Sequence, residues 1–427
     1  MINVTELKRK VIDEFLTSQP LVTNTSFKSV AKIYTGESTN AEEKNKYSFK
    51  TDDCYPYVST KDISMKGNVN FENGMYIPKG EKKFSIAPVN SILLCIEGGN
   101  AGNKIAIVKE ATCFVNKLCC FDIFGADNRF IYYYLLSNQF RNNFKEQMTG
   151  LIGGVSVKKL KELILPLPHI TEQKRIADKL DVIFAELDKI DEKQTRLAII
   201  QEKMEAKILK LAIQGKLVEQ RPGEGTGEEL FKHIQLEKQE LIKQGKIKKE
   251  KPLPSIEEYE IPFEIPSSWK WCKFGQLISL TSGVDLEPKD YFSESNCSAI
   301  PYITGASCID EKGNLVINRF TDKSHVNSTI GDILLTCKGT IGKITVNDKG
   351  NMHLARQLMG IKTLIDFDFT RYYLMFIVDE LKTKANGLIP GIDRPTVLNY
   401  YLPLPPLEEQ KRIVVKIKEL LPLCRGN

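Results

Sequence analysis

A block of twelve residues that occurs twice constrains this chain more than any other feature. Leu165-Pro-Leu-Pro-His-Ile-Thr-Glu-Gln-Lys-Arg-Ile176 returns as Leu402-Pro-Leu-Pro-Pro-Leu-Glu-Glu-Gln-Lys-Arg-Ile413, identical at nine of twelve positions, at an offset of 402 − 165 = 237. Looser matches run upstream. Gly150-Leu-Ile152 pairs with Gly387-Leu-Ile389 at 237, Tyr133-Tyr-Leu135 with Tyr372-Tyr-Leu374 at 239, and Ile92-Leu-Leu94 with Ile333-Leu-Leu335 at 241. Pro56-Tyr57 pairs with Pro301-Tyr302 at 245, and Lys66-Gly-Asn68 with Lys312-Gly-Asn314 at 246. The drift in offset is what a few extra loop residues in the first copy produce, and loops tolerate insertion. A chain built this way holds two copies of one domain.

Each copy reads as mixed α+β. The runs Ser91–Ile96, Lys104–Val108, Asp332–Cys337 and Lys343–Asn347 are short, apolar or β-branched, and flanked by Gly and Asn, which predicts strands. Phe130–Leu136 and Phe369–Val378 predict buried helices, with the Tyr132-Tyr-Tyr134 run belonging to the core. Trp269 and Trp271 alternate, as on a strand entering the second copy.

Between the copies the pattern changes to a charged helix, free of Gly and Pro from Thr171 to Gly215. Ile176, Leu180, Ile183, Leu187, Ile190, Leu197, Met204, Ile208 and Leu211 recur in steps of four and three, with Gln194 and Gln201 filling the two remaining positions. That is a heptad seam, and a seam so narrow calls for a partner helix. A second helix, about Glu228 to Gln244, is placed to fold back on it, and Met1–Leu16 carries Val4, Leu7, Val11 and Phe15 at helical spacing. The expected plan is an N-terminal helix (1–20), a first domain (21–165), a central helical region (166–260), a second domain (261–403) and a short C-terminal helix (404–427). As a fold class this is α+β: two similar domains separated by long antiparallel or coiled-coil helices, with pseudo-two-fold symmetry.

Composition narrows the function less. The 60 Lys and Arg against 54 Asp and Glu give a net charge of +6, which permits a polyanionic partner without demanding one. No apolar run approaches the ~18 residues needed to span a bilayer. The ten cysteines form no C-x-x-C pair and the four histidines add no metal-ligand spacing, so reduced thiols in a cytoplasm and no bound metal are expected.

The two Leu-Pro-Leu-Pro-x-x-x-Glu-Gln-x-x-Ile blocks resemble the conserved regions of type I restriction–modification specificity subunits. Leu211-Ala-Ile-Gln-Gly-Lys-Leu-Val218, Gly245-Lys-Ile-Lys-Lys249 and Ile261-Pro-Phe-Glu-Ile-Pro-Ser-Ser-Trp-Lys-Trp271 are similar to the segment joining the two halves of those proteins. The resemblance covers essentially the whole chain. It implies two target recognition domains, each reading one half of a split DNA sequence. It also implies helices that set the gap and dock methyltransferase subunits, which in turn recruit the restriction subunits. Catalysis is then expected on the partners, with S-adenosylmethionine, ATP and Mg bound there and none on this chain. The C-terminal arm is shorter than the resemblance implies for many relatives, so the expectation is either weaker docking of a second methyltransferase subunit or a column completed in part by the N-terminal helix.

On that reading the base readers are Arg, Lys, Asn or Gln, whose donors and acceptors match purine edges. Candidates in the first domain are Lys61, Lys66, Asn68, Asn100 and Asn103, and in the second Lys338, Arg356, Gln357 and Arg394, while Lys104 and Lys343, with Lys338, are candidates to add charge beside a phosphate. Two glycine loops, Ile96-Glu-Gly-Gly-Asn-Ala-Gly-Asn-Lys-Ile105 and Cys337-Lys-Gly-Thr-Ile-Gly-Lys-Ile344, occupy matching places. Either they bring backbone N–H groups to phosphates or they are tight hairpins needing positive φ. The densest positive run, Lys243–Lys251, reads as a solvated helix end first and a phosphate contact second. An adenine methyltransferase is disfavoured, because the only double proline, Pro405-Pro406, lies between leucines. A stand-alone endonuclease and a helical scaffold without nucleic acid remain as alternatives.

Overall fold

A computed structural model of the chain describes residues 2–18, 22–149, 153–247, 249, 251–294, 298–323, 327–385 and 391–425. The matched Gly150–Ile152 and Gly387–Ile389 segments lie outside the described residues, as do Cys297 and His325. The chain divides into two compact units, Met1–Arg196 and Leu197–Asn427. That division falls inside the long central helix.

The first unit opens with helix α1 (Val4–Thr17), capped by Asn3, whose side chain accepts the Glu6 amide at 3.1 Å. Val4, Ile12 and Leu16 lie at helical spacing on its buried face. An antiparallel sheet follows, with strands in the spatial order Ala31–Thr35, Leu118–Ile123, Ile92–Cys95 and Ile105–Ile107. The predicted strands at 91–96 and 104–108 are thus present, each one residue shorter at both ends, with Ile92 opposite Ile107 and Leu94 opposite Ile105. Ile92–Cys95 is apolar at every position because both of its faces are covered. Ile92 and Leu94 join the core that holds α1, while Leu93 and Cys95 join a second core with Val58 and Phe114. Helix α2 (Asn128–Leu136) buries Phe130, Ile131, Tyr133, Tyr134 and Leu135. The Tyr134 hydroxyl donates to Ile164 O at 2.9 Å, so the tyrosine run is core.

Helix α3 (Ile170–Ile213) is 44 residues long, about 66 Å at 1.5 Å per residue. It ends at Gly215, whose φ of +68° lets the Lys216 amide turn back to Leu211 O at 2.8 Å. In the second unit, helix α4 (Gly227–Lys243) starts from a capping box of Thr226 and Glu229. The sheet order there is Ile278–Ser282, Leu358–Thr363, Ile333–Thr336 and Ile344–Val346, the same as in the first unit. Helix α5 (Phe367–Thr383) repeats α2, and its Tyr373 hydroxyl donates to Tyr401 O at 2.7 Å. Helix α6 (Leu407–Arg425) follows the second Leu-Pro-Leu-Pro block.

The repeated block has a physical job. Thr23–Ser26 pairs with Ile164–Leu167, and Lys270–Lys273 with Tyr401–Leu404, so each Leu-Pro-Leu-Pro segment ties the end of its domain to the beginning. The glutamine that follows is buried in both copies. Gln173 accepts the Asp127 amide at 2.9 Å and donates to Pro168 O at 2.8 Å. Gln410 does the same with Asp366 at 3.0 Å and Pro405 at 2.9 Å. Asp127 and Asp366 are the N-caps of α2 and α5, so a single side chain joins the turn before one helix to the cap of another.

The helical seam is covered at both ends and open between. Ile176, Leu180 and Leu187 are buried in one core with Val4, Ile12 and Leu16 of α1. Leu209, Ala212 and Ile213 share a core with Ile413, Ile417 and Leu421 of α6. Ile183, Ile208 and Leu211 are half-buried, but Ile190, Leu197 and Met204 are 40%, 54% and 49% exposed. The second helix shares a core with the end of the seam, Ile234 lying in one cluster with Leu209, Ala212 and Ile213. Within its own unit, α4 packs on the strand Lys270–Lys273, and its buried Lys238 donates to Gly275 O and Ile278 O at 2.6 and 2.8 Å. Amphipathicity fixed which face of α4 is buried, not which neighbour buries it.

Long helix α3 therefore serves both copies. Its first turns close the first domain, as α6 closes the second, and its last turns open the second domain, as α1 opens the first. Lys8 of α1 pairs with Asp188 at 2.7 Å, and Arg425 of α6 pairs with Glu205 at 2.8 Å. Asp188 and Arg425 are separated by 425 − 188 = 237, the offset of the duplication, so the same ion pair occurs twice with its charges reversed.

Candidate nucleic-acid interface

Both glycine loops are hairpin tips. Gly98 and Gly102 have φ of +89° and +74°, and Gly339 and Gly342 of +73° and +87°. A Cβ on Gly102 would come within 2.9 Å of the Phe144 ring, and one on Gly342 within 2.5 Å of Val378. Among the described residues nothing lies within 4 Å of an added Cβ on Gly98 or Gly339. Each loop is bridged to a later segment of its own unit, Glu97 to Gly154 and Lys338 to Gly391.

The two loop lysines face inward. Lys104 Nζ donates to Thr60 O at 2.7 Å, and Lys343 Nζ to Ala306 O at 3.2 Å and Ile309 O at 2.9 Å. Each staples its hairpin to the loop after the neighbouring sheet's central strand, Cys54–Val58 or Ile300–Ile303. In the first unit that staple brings the hairpin tip, with exposed Asn100 and half-buried Asn103, beside the loop carrying Lys61 and Asn68. Lys61 lines a cavity of about 540 Å³ with Lys44, Tyr57 and Asn73. Lys66 is turned away to α3, 2.5 Å from Asp191.

In the second unit the Cys337 amide donates to Gln357 O at 2.8 Å, which places Arg356 and Gln357 next to Lys338. Lys338 is exposed, and the Arg356 side chain is 64% exposed while paired with Asp285 at 2.7 Å. Gln357 is half-buried, and among the described residues its Oε1 has no hydrogen-bond partner. Arg394 does not join this group. Its guanidinium reaches Leu280 O at 2.5 Å and lines a separate polar cleft of about 590 Å³ with Lys246 and Lys362. Lys246 belongs to the positive run after α4, and Lys362 was not among the sequence candidates. The duplication also points to residues that reasoning from residue type passed over. Subtracting 240 from Arg356 and Gln357 gives Asn116 and Lys117, whose side chains meet Ser38 and Glu97 at 2.6 and 3.8 Å.

Among the described residues no group of three or more His, Cys, Asp or Glu is placed to hold a metal ion, and no helix is long and apolar enough to cross a membrane. Among the described residues, the one carboxyl whose pKa is pushed up, by burial, is Glu409, which lies in the second unit's core and not on either hairpin edge.

The family model described as the type I restriction modification DNA specificity domain matches residues 22–198 and again 266–422. The chain belongs to this family. Among relatives, the specificity subunit of the Escherichia coli type I restriction enzyme EcoAI is 31% identical over 244 residues, 52% of this chain and 40% of that protein. The EcoEI specificity subunit, also from Escherichia coli, is 31% identical over 239 residues, 39% of its length. Both alignments therefore span about two-fifths of those relatives. The EcoBI specificity subunit is 23% identical over 419 residues, 92% of this chain and 78% of that protein. A solved chain from work on complex assembly and conformational transition of a type I restriction–modification system superposes with a TM-score of 0.65 at 16% identity, over 96% of this chain and 92% of that one. That likeness supports the fold: two specificity domains in tandem, mixed helix and sheet, with a long helix between.

Proposed function

We propose that this family member is the DNA-reading subunit of a type I restriction–modification complex. Each domain recognises one half of a bipartite target, and the helices set the gap and dock methyltransferase subunits, through which restriction subunits join. The observation that carries the reading is the internal match of the two units: the same sheet, the same hairpin and the same lysine staple occur in both, while the exposed side chains differ. Asn100 and Asn103 edge one hairpin, and Lys338, Arg356 and Gln357 edge the other. A common frame with different side chains at one edge is what two readers of different half-sites require, by the logic that fits a dimer to two half-sites.

On this reading the chain performs no chemistry. S-adenosylmethionine, ATP and Mg belong to partner subunits in the cytoplasm. Exchanging residues 21–165 for the matching domain of a relative, then mapping methylation in cells carrying the whole system, tests the assignment. One half of the target should change while the other half stays. A simultaneous change of both halves, or methyl transfer by the isolated chain, defeats it.

A further inference from the structure

Each unit carries a small station beside its hairpin, built on one frame but holding different side chains. A tight turn links two strands in both copies: the Leu118 amide donates to Val115 O at 3.0 Å, and the Leu358 amide to Ala355 O at 2.9 Å. The third residue of each turn accepts from the hairpin. Lys117 O takes the Ile96 amide at 3.0 Å, and Gln357 O the Cys337 amide at 2.8 Å. A glycine just past each edge strand, Ala31–Thr35 or Ile278–Ser282, lets the chain press against this turn. A Cβ on Gly36 would collide with Phe114 O, and one on Gly283 with Ala355 O.

Two residues beyond each glycine, a side chain meets the second residue of the turn. In the first unit Ser38 Oγ donates to Asn116 Oδ1 at 2.6 Å. In the second, Asp285 accepts the Arg356 amide at 3.0 Å and lies 2.7 Å from Arg356 Nε. The offsets, 285 − 38 = 247 and 356 − 116 = 240, continue the drift of the duplication. Both turn side chains face water, Asn116 being exposed and Arg356 mostly so.

An ion pair as exposed as that of Arg356 adds little stability. What it does is hold a long side chain in one pose, which lowers the ordering cost of binding. The carboxylate also disfavours a phosphate as the ligand, because the pair is neutral and phosphates are held by net positive charge. The cations beside the two stations are Lys117, 3.8 Å from Glu97, and exposed Lys338 on the adjoining hairpin. A base edge is neutral and selects by where donors and acceptors lie. A guanidinium offers the paired donors that guanine O6 and N7 accept, and a carboxamide offers the donor and acceptor that match adenine N7 and N6.

We propose that this duplicated station reads one base pair in each half-site. Arg356, steered by Asp285, takes a guanine, and Asn116, steered by Ser38, takes an adenine. Asp285 and Ser38 are positioning residues. The assignment rests on the DNA-reading role proposed above and names the bases that role would select.

The test uses the full chain, purified with its methyltransferase subunits, and a pool of randomised DNA duplexes sequenced after selection for binding. The parent should enrich a split sequence. Arg356→Gln should replace guanine by adenine at one position and leave the other half-site intact, which also reports that the variant is folded. Asn116→Ala should relax one position in the opposite half, with discrimination falling roughly 10- to 100-fold. Asp285→Asn should keep guanine as the favoured base, lower its preference about tenfold, and steepen the salt dependence, since a cation is then unmasked. Uniform weakening of all sequences by Arg356→Gln, with a salt slope smaller by about one, would make Arg356 a phosphate contact and overturn the proposal. So would a parent that enriches a split sequence every position of which survives both Arg356→Gln and Asn116→Ala, and in that case the DNA-reading role stands. A parent that enriches no sequence would overturn that role and this assignment together.

Discussion

Gln173 accepts the amide of Asp127 at 2.9 Å and donates to Pro168 O at 2.8 Å, so one side chain locks the cap of α2 to the turn before α3. Both ends of this bridge are backbone groups, and the glutamine itself is 2% exposed. Replacing it by leucine leaves the half-buried Asp127 amide and the buried Pro168 O without this partner. Gln173→Leu should cost roughly 2–4 kcal/mol by denaturant unfolding, and Gln410→Leu a similar amount in the second unit. Hydrogen exchange should locate the first loss in α2 and the second in α5. Two variants each within ~0.5 kcal/mol of the parent would show that the motif is kept for some other reason.

Glu409 is buried with its carboxylate accepting from Trp269 Nε1 at 3.0 Å and Gln220 Nε2 at 2.6 Å. Burial outweighs those bonds and pushes its pKa up. The unfolded chain therefore releases this proton first as pH rises, so the group's contribution falls from the ordinary carboxyl range up to the folded value. Glu409→Gln keeps an acceptor for the indole and removes the buried charge. The variant should melt higher than the parent at pH 7.5, with the gap narrowing as pH falls toward the ordinary carboxyl range. A gap that is constant from pH 4.5 to 8 would mean Glu409 does not titrate in the folded chain.

Lys338 and Lys343 sit on one hairpin and should fail in different assays. Lys343→Met removes donors to two carbonyls and should lower stability by roughly 1–2 kcal/mol, with little change in DNA affinity well below the melting range. Lys338→Ala should leave melting unchanged. It should weaken binding to the target duplex several-fold and reduce the slope of log K against log salt by about one. If Lys343→Met instead changes the salt slope without changing stability, the staple has been misassigned.

Removing residues 197–203 deletes one heptad from the open part of α3 and leaves the ion pairs at Asp188, Asp191 and Glu205 in place. A helix that sets the gap would shorten by about 10 Å, roughly three base pairs. Methylation mapping should report unchanged half-sites with a shorter spacer, or loss of specific binding with weak salt-sensitive binding retained. An unaltered spacer at unaltered affinity removes α3 as the ruler.

The duplication made most of the fold legible. Strand and helix positions followed from apolar runs, because Ile92–Cys95 and Ile333–Thr336 are covered on both faces, and the glycine end of α3 followed from Gly215. Partner choice did not follow. Val4, Ile12 and Leu16 of α1 and the apolar face of α4 carry the same kind of periodicity, yet α1 shares a core with the first turns of α3 while α4 packs on the strand Lys270–Lys273, since periodicity names a face and not its neighbour. The site was half legible. Residue type picked out Lys104 and Lys343 as readily as Lys338, because a lysine that caps carbonyls and one that faces solvent are identical in sequence.

The reversed ion pair has a consequence for how a self-similar chain assembles. If α1 took the place of the last turns of α3 against α6, Lys8 would face Arg425. If α3 instead met its own other end, Asp188 would face Glu205. Every exchange of look-alike helices sets like charges together, while both correct pairings set opposites together. Each exposed pair is worth less than about 1 kcal/mol in the finished fold, so its value lies in discrimination. The two polarities act as addresses, which keep the earlier-made helix from being claimed by the wrong repeat.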